Sequence, residues 1–362
     1  MKKSMTFVLA AGLTAAMILP AYASTADSEA AAETETATEA VSDSAAQGAE
    51  TETESLEEKQ NAELNPSTAD YEETYVMIPS EKYEIPAIIG MPKGEVKGAV
   101  VMLHGTGSSK NEAGDGYKTA APILGEQYGI ATIRIDFPGY GDSTADDKLY
   151  DFTSAVSDAM AARQFLADNY GITNFAVMGW SQGGTDALLS AGEHPDAWDS
   201  IVTWAGAPDL SDMLSDEDYE EAKKNGYFTM EYDWRDPSEV SLQWCEDVKN
   251  TDVLKVFSAF QGPVCAIYGT EDTTVDPSWS KKIYETDTNK ASVLYPIEGM
   301  DHTFNVFSED DLHSLKDAIN ETGTFLASTL GTSSEASTEG ATEAAVTAAT
   351  ATTEAASTEA AN

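Results

Sequence analysis

The stretch Phe175-Ala176-Val177-Met178-Gly179-Trp180-Ser181-Gln182-Gly183-Gly184 decides the fold. Its first four residues are a short apolar run that reads as a buried strand, and a helical pattern follows the last glycines. A serine with glycine two residues to either side tolerates a sharp strand-to-helix turn, which leaves the hydroxyl exposed at the helix N-terminus. The G-x-S-x-G spacing arises often by chance. Between a buried strand and a helix it is specific, and it predicts a nucleophile elbow.

Outward from the elbow, β-rich runs recur at 75–79, 85–90, 98–103, 130–135, 200–204, 264–268 and 292–295. Helix candidates lie at 117–128, 152–170, 183–192, 277–284 and 308–330. Near-continuous apolar strands separated by helices predict an α/β domain over 71–330, its mostly parallel eight-stranded sheet covered on both faces. The first two strands have no helix between them and should form an antiparallel edge. Residues 207–260 are too many for a loop of a compact domain and predict a lid inserted after the sixth strand. That insertion holds Tyr227, Phe228, Tyr232, Trp234 and Trp244, most of which should pack it onto the body.

The chain ends read differently. Lys2 and Lys3, the apolar run Phe7 to Leu19, and Ala21-Tyr22-Ala23 match a secretory signal peptide over 1–23, cleaved near Ala23. Export to a secreted or cell-surface location follows, with no membrane insertion of the mature chain. Residues 24–70 and 331–362 are acidic Thr/Glu/Ala-rich stretches with few large apolar side chains, and are expected to be disordered. The chain carries 63 acids against 20 bases, a formal charge of −43. Taking away the two signal lysines and the seventeen net negative charges of the tails still leaves −28 on residues 71–330. Such a surface repels phosphate backbones, which excludes nucleic acid as a partner. The two cysteines, Cys245 and Cys265, leave a disulfide open. No His/Cys cluster has ligand spacing, so no metal or other cofactor is expected.

A serine hydroxyl needs a base. Of His104, His194, His302 and His313, His302 alone follows the last strand, where α/β active sites gather. His194 reads as a helix C-terminal cap, His313 as a surface group and His104 as a structural residue. Asp272, in the turn after the strand 264–268, completes the chain order Ser, acid, His. Asp209, Glu271, Asp276 and Asp301 are its rivals, Asp276 reading rather as a helix cap. The backbone N–H groups of Gln182, after the nucleophile, and Thr106, in the loop His104-Gly105-Thr106-Gly107, are placed to hold a transition-state oxyanion.

These marks together, with Arg134-Ile135-Asp136-Phe137-Pro138-Gly139-Tyr140-Gly141-Asp142-Ser143, make residues 98–304 resemble the α/β-hydrolase superfamily. Ser181-Gln182-Gly183-Gly184 and Pro263-Val264-Cys265-Ala266-Ile267-Tyr268-Gly269 are similar to bacterial feruloyl/cinnamoyl esterases. Trp180 departs from the histidine often found there, and the acidic tails are foreign to them. The resemblance implies a serine esterase acting on a small-molecule or polysaccharide-linked ester, and among the aromatics of the inserted stretch Trp234 or Tyr232 is expected against the acyl group. An exported peptidase stays open, since Glu231 and Asp233 could hold a substrate ammonium. A silent binding protein on this scaffold is the alternative of another class. Oligomeric state is not legible.

Overall fold

Five six- or five-residue runs, β3 (Gly98–Leu103), β4 (Ile130–Ile135), β5 (Phe175–Trp180), β6 (Ser200–Trp204) and β9 (Val264–Gly269), are buried at every position. Strands buried on both faces belong at the centre of a parallel sheet. The computed structural model, which describes residues 60–331 other than residue 62, places them there. With β1 (Tyr71–Pro79), β2 (Glu84–Pro92) and β10 (Val293–Ile297) they form an eight-stranded sheet in the order β1-β2-β4-β3-β5-β6-β9-β10. β1 pairs antiparallel with β2, and β2 antiparallel with β4, while the pairings from β4 to β10 are parallel. The antiparallel edge is as expected.

Alternate strand residues feed two cores. Val100, Met102, Ala176 and Met178 pack with α1 (Gly116–Tyr128) and α8 (His313–Leu330). Val101, Leu103, Val177 and Ile201 pack on the other face with α2 (Phe152–Tyr170) and α3 (Gln182–Glu193). In α2, Ala155, Val156, Ala159, Ala162 and Leu166 recur at helical spacing and form its buried face. Asp151 and Ser154 close a capping box at its start, and Gly171 ends it at φ 68°.

The segment between β6 and β9 holds α4 (Asp216–Asn225), the hairpin β7 (Tyr227–Met230) and β8 (Ser238–Ser241), α5 (Leu242–Asn250) and α6 (Val253–Phe257). Phe228, Trp244, Phe257 and Phe260 carry it into the α2/α3 core. α7 (Ser278–Thr286) follows β9. The last helix starts at His313 rather than near 308. Before it, Glu309 accepts from the Ser314 N–H (2.7 Å) and hydroxyl (2.7 Å), and Leu312 has left-handed φ.

Both cysteines are buried free thiols. Cys245 lies in the α2/α3 core and Cys265 in the α1/α8 core, so the sheet separates them. The N-terminal boundary falls earlier than residue 71. Glu63 pairs with Lys110 (2.6 Å), and Asn65 bonds Glu73 through its backbone N–H (2.7 Å) and side chain (3.1 Å) and also donates to the Lys118 carbonyl (2.8 Å). The expected signal peptide over 1–23, residues 24–59 and residues 332–362 lie outside the described residues. No helix among the described residues is long and apolar enough to cross a membrane.

Two carboxyls, Asp158 and Asp186, lie buried in the α2/α3 layer with no ion-pair partner among the described residues. Burial pushes Asp158 up to about 7 and Asp186 up to about 8. A carboxyl raised in this way keeps its proton in the folded chain at pH values where the unfolded chain has lost it. Its stabilising contribution is therefore full below the unfolded carboxylate pKa of about 3.9 and is lost as pH rises toward the folded value. Asp186→Asn has nothing to ionise. It should gain on the wild type between about pH 4 and pH 8, at no more than about 1.4 kcal/mol per pH unit. Urea unfolding at pH 5 and pH 8 reads the difference, and parallel stability curves for the two proteins would contradict it.

Candidate active site

Sheet topology sets the site. β3 lies between β4 and β5, so the chain runs from β3 to opposite sides, and a crevice opens at the carboxyl ends of the strands. Leu103 pairs with Gly179, which brings the loop after β3 alongside the turn after β5.

Ser181 occupies that turn at φ 56°, ψ −120°. Its N–H donates to the Trp204 carbonyl (2.9 Å), and its own carbonyl accepts from Gly184 (2.9 Å) and Ala207 (3.1 Å). Serine at a helix N-cap ordinarily caps the first turn with its hydroxyl. Here, with the backbone at positive φ, no side-chain cap bond forms. As the first residue of α3, Gln182 has an N–H with no intrahelical acceptor, and it points where a dipole favours negative charge.

Asp272 and His302 are brought together. Nδ1 of His302 donates to Oδ2 of Asp272 at 2.8 Å, in a pair whose side chains are 13% and 1% exposed. The other carboxylate oxygen accepts from the N–H groups of Thr274 (2.8 Å) and Val275 (2.9 Å), which fixes its plane. With Nδ1 holding the proton toward Asp272, Nε2 carries the free lone pair. The loop is latched to the elbow, because the Trp180 indole N–H donates to the His302 carbonyl (3.0 Å). No direct Ser181–His302 hydrogen bond forms among the described residues. Three of the four rival acids are engaged elsewhere: Asp209 accepts from Ser211 N–H (2.9 Å), Asp276 from Ser278 N–H (2.8 Å), and Asp301 from Thr303 (2.8 Å) and Asn305 (3.0 Å).

The loop after β3 is held from several sides. His104 donates from Nδ1 to the Gly105 carbonyl (2.8 Å) and accepts the Phe137 N–H at Nε2 (3.2 Å). Burial lowers it to about 4, so its ring is neutral and structural. The Thr106 hydroxyl donates to the side-chain oxygen of Gln182. A Cβ on Gly105 would lie 3.2 Å from that of Ser181, which is how closely loop and elbow approach.

Glu112 escaped the reading of the sequence. Held at φ 63°, it accepts from Gly105 N–H, the Ser108 hydroxyl (2.8 Å) and Ala113 N–H (2.8 Å). Burial raises it above the usual carboxylate range. Lys110 escaped too: its ammonium, 1% exposed, bonds Asp136 (2.8 Å) and Asp142 (2.8 Å) and ties this loop to the Arg134–Ser143 motif. Neither carries a local signal, since both lie in the polar run Gly107-Ser108-Ser109-Lys110-Asn111-Glu112-Ala113-Gly114, which reads as a solvated loop.

The insertion reaches the same loop. The Trp234 indole donates to the Gly107 carbonyl (3.1 Å), and a Cβ on Gly107 would meet the Tyr232 ring at 2.8 Å. Tyr232 bonds Ser238 (2.9 Å), and its ring lies 5.4 Å from that of Trp234, which is half exposed. Phe228 and Trp244 are core residues instead. A separate cleft of about 420 Å³ between Asp209–Ser211, α6 and Trp279 includes none of Ser181, Asp272 or His302.

A family sequence model described as the alpha/beta hydrolase fold matches residues 98–235. The chain is 30% identical over 138 residues to a 2-succinyl-6-hydroxy-2,4-cyclohexadiene-1-carboxylate synthase of Enterobacter sp. (strain 638), covering 37% of this chain and 43% of the synthase. It is 29% identical over 122 residues to a pimeloyl-[acyl-carrier protein] methyl ester esterase of Neisseria meningitidis, covering 34% and 40% respectively. It thus spans less than half the length of these curated relatives. Among solved structures, Est1E of Butyrivibrio proteoclasticus with ferulic acid bound superposes with a TM-score of 0.57 at 18% identity, covering 70% of this chain and 99% of Est1E.

Proposed function

We propose that this chain, an α/β-hydrolase, is a serine esterase that cleaves carboxylic esters through an acyl-enzyme. Ser181 is the nucleophile and His302 takes its proton at Nε2. Asp272 holds the ring and stabilises the imidazolium. The oxyanion is held by the N–H groups of Thr106 and Gln182. His302 returns the proton to the departing alcohol, and water, activated by the same base, releases the acid. The reading is carried by the 2.8 Å Asp272–His302 bond following a serine whose hydroxyl does not cap its helix. A curated relative that acts on a methyl ester supports the ester class.

The finer reading is a hydroxycinnamoyl ester on a small molecule or polysaccharide, met by an exported protein after residues 1–23 are removed. Its support is the Tyr232–Trp234 pair against the Gly107 turn, beside the proposed oxyanion loop, with the insertion acting as lid. Turnover of p-nitrophenyl esters, methyl hydroxycinnamates and aminoacyl anilides tests the class. Cleavage of anilides alone would overturn the esterase reading.

Within that reading, Trp234→Ala or Tyr232→Ala should lower kcat/KM for methyl ferulate relative to p-nitrophenyl acetate by about 1–3 kcal/mol of lost pocket contact. Glu231→Gln and Asp233→Asn should change neither. Equal losses on both esters would mean the aromatics support the loop and do not meet the acyl group.

A further inference from the structure

A chain of buried hydrogen bonds runs away from the proposed oxyanion hole into the protein. The Thr106 hydroxyl donates to Oε1 of Gln182. Nε2 of Gln182 donates to the Tyr150 hydroxyl (2.8 Å), which donates in turn to Oδ2 of Asp186 (2.7 Å). Gln182 and Asp186 sit one turn apart on α3, Tyr150 ends the turn before α2, and Thr106 lies on the loop after β3.

Asp186 is the group that needs explaining. It is fully buried, the charge that acts on it is that of another carboxyl, Asp158, and its Oδ1 has no hydrogen-bond partner among the described residues. An apolar side chain would be cheaper to bury there. A carboxyl does what an apolar group cannot, because with its own proton on Oδ1 it accepts from Tyr150 at Oδ2 and so gives the chain a direction. Tyr150 must then spend its proton on Asp186 and keep a lone pair for Gln182. The Gln182 amide is thereby oriented with Nε2 inward and Oε1 outward, and Oε1 receives the Thr106 hydroxyl. Without that acceptor, Tyr150 is free to donate to Gln182 instead. The amide could then flip, which would offer Thr106 a donor in place of an acceptor.

We infer that Asp186, acting through Tyr150, is a positioning residue for the oxyanion hole, its directed hydrogen-bond chain clamping the two residues whose N–H groups receive the oxyanion. This rests on the esterase reading. It goes beyond that reading in naming residues that never touch substrate. Because the carboxyl stays protonated below about pH 8, an asparagine should replace it well, its amide oxygen accepting from Tyr150 as the acid does.

The test uses the full chain at pH 7 with p-nitrophenyl acetate, with Ser181→Ala as the control and melting curves for every variant. Tyr150→Phe, which removes one oxygen, and Asp186→Leu should each lower kcat on the order of 10- to 100-fold with KM within about twofold, since misplaced donors weaken transition-state binding more than substrate binding. Asp186→Asn should restore most of the kcat lost in Asp186→Leu. If Asp186→Leu does not fold, Tyr150→Phe carries the test. Wild-type kcat in folded Tyr150→Phe would overturn the inference and leave the esterase reading intact, as would losses confined to KM, or Asn as poor as Leu. If the wild type matches Ser181→Ala, the esterase reading falls and takes the inference with it.

Discussion

Ser181→Ala should keep the fold and lose at least about 10³-fold in turnover of any ester the protein cleaves, and His302→Ala should lose as much, because in the proposed mechanism nucleophile and base act as one unit. Their double variant should be little worse than either alone. Asp272→Asn should cost about one to two decades less. The asparagine can still accept from Thr274 and Val275, but its amide group presents N–H to His302 Nδ1 and so favours the wrong tautomer. Initial rates with p-nitrophenyl acetate, alongside melting curves, separate chemistry from folding. Asp209→Asn is the discriminating control, since that carboxylate is exposed and bonds only its own turn. A large loss there, with Asp272→Asn near wild type, would move the acid to the loop after β6.

The largest effect on stability is expected from Gly179→Ala. A Cβ at this position would fall inside the carbonyl group of Gly183, and a Cβ at Gly183 would fall on the Leu103 carbonyl. Both obstacles are main chain, so no rotamer change relieves them. Strand and helix approach this closely only because neither residue has a side chain. Forcing them apart strains the elbow between two buried layers, and a loss of about 4 kcal/mol or more is expected. Gly171→Ala provides the contrast. There a Cβ meets nothing within 4 Å, and only the left-handed φ of 68° resists it. Urea unfolding of the two variants makes the comparison, and similar midpoints would show that the elbow relaxes more than its geometry allows.

The central sheet was legible because its strands are apolar runs bounded by turns, each completely buried. The placement of Ser181, Asp272 and His302 was legible for a related reason, since each follows the end of a strand. Elements of the insertion were not. α4 is Asp-Glu-Asp-Tyr-Glu-Glu-Ala-Lys-Lys-Asn with Ala222 alone buried, so it shows no apolar stripe. β7 and β8 are only four residues long. Glu63 and Asn65 fall inside the acidic stretch 24–70 by composition, which averages over many residues, whereas docking depends on single side chains. The Asp186 chain joins residues 36 and 76 positions apart, and no local pattern carries that information.

Ser181 sits in backbone space that costs an L residue about 1–3 kcal/mol, and the hydrogen bonds to Trp204, Gly184 and Ala207 hold it there. Glycine would be at ease in that conformation, and its extra freedom in the unfolded chain offsets only about 1 kcal/mol of the relief. Ser181→Gly is therefore expected to be inactive and roughly 1 kcal/mol more stable, which a melting curve would register as a rise in Tm. Inheritance follows from this. In any descendant relieved of its chemical task, drift and selection for abundance both push this position toward glycine. If Ser181 is the nucleophile proposed above, serine persists here only while turnover matters to the cell that makes it.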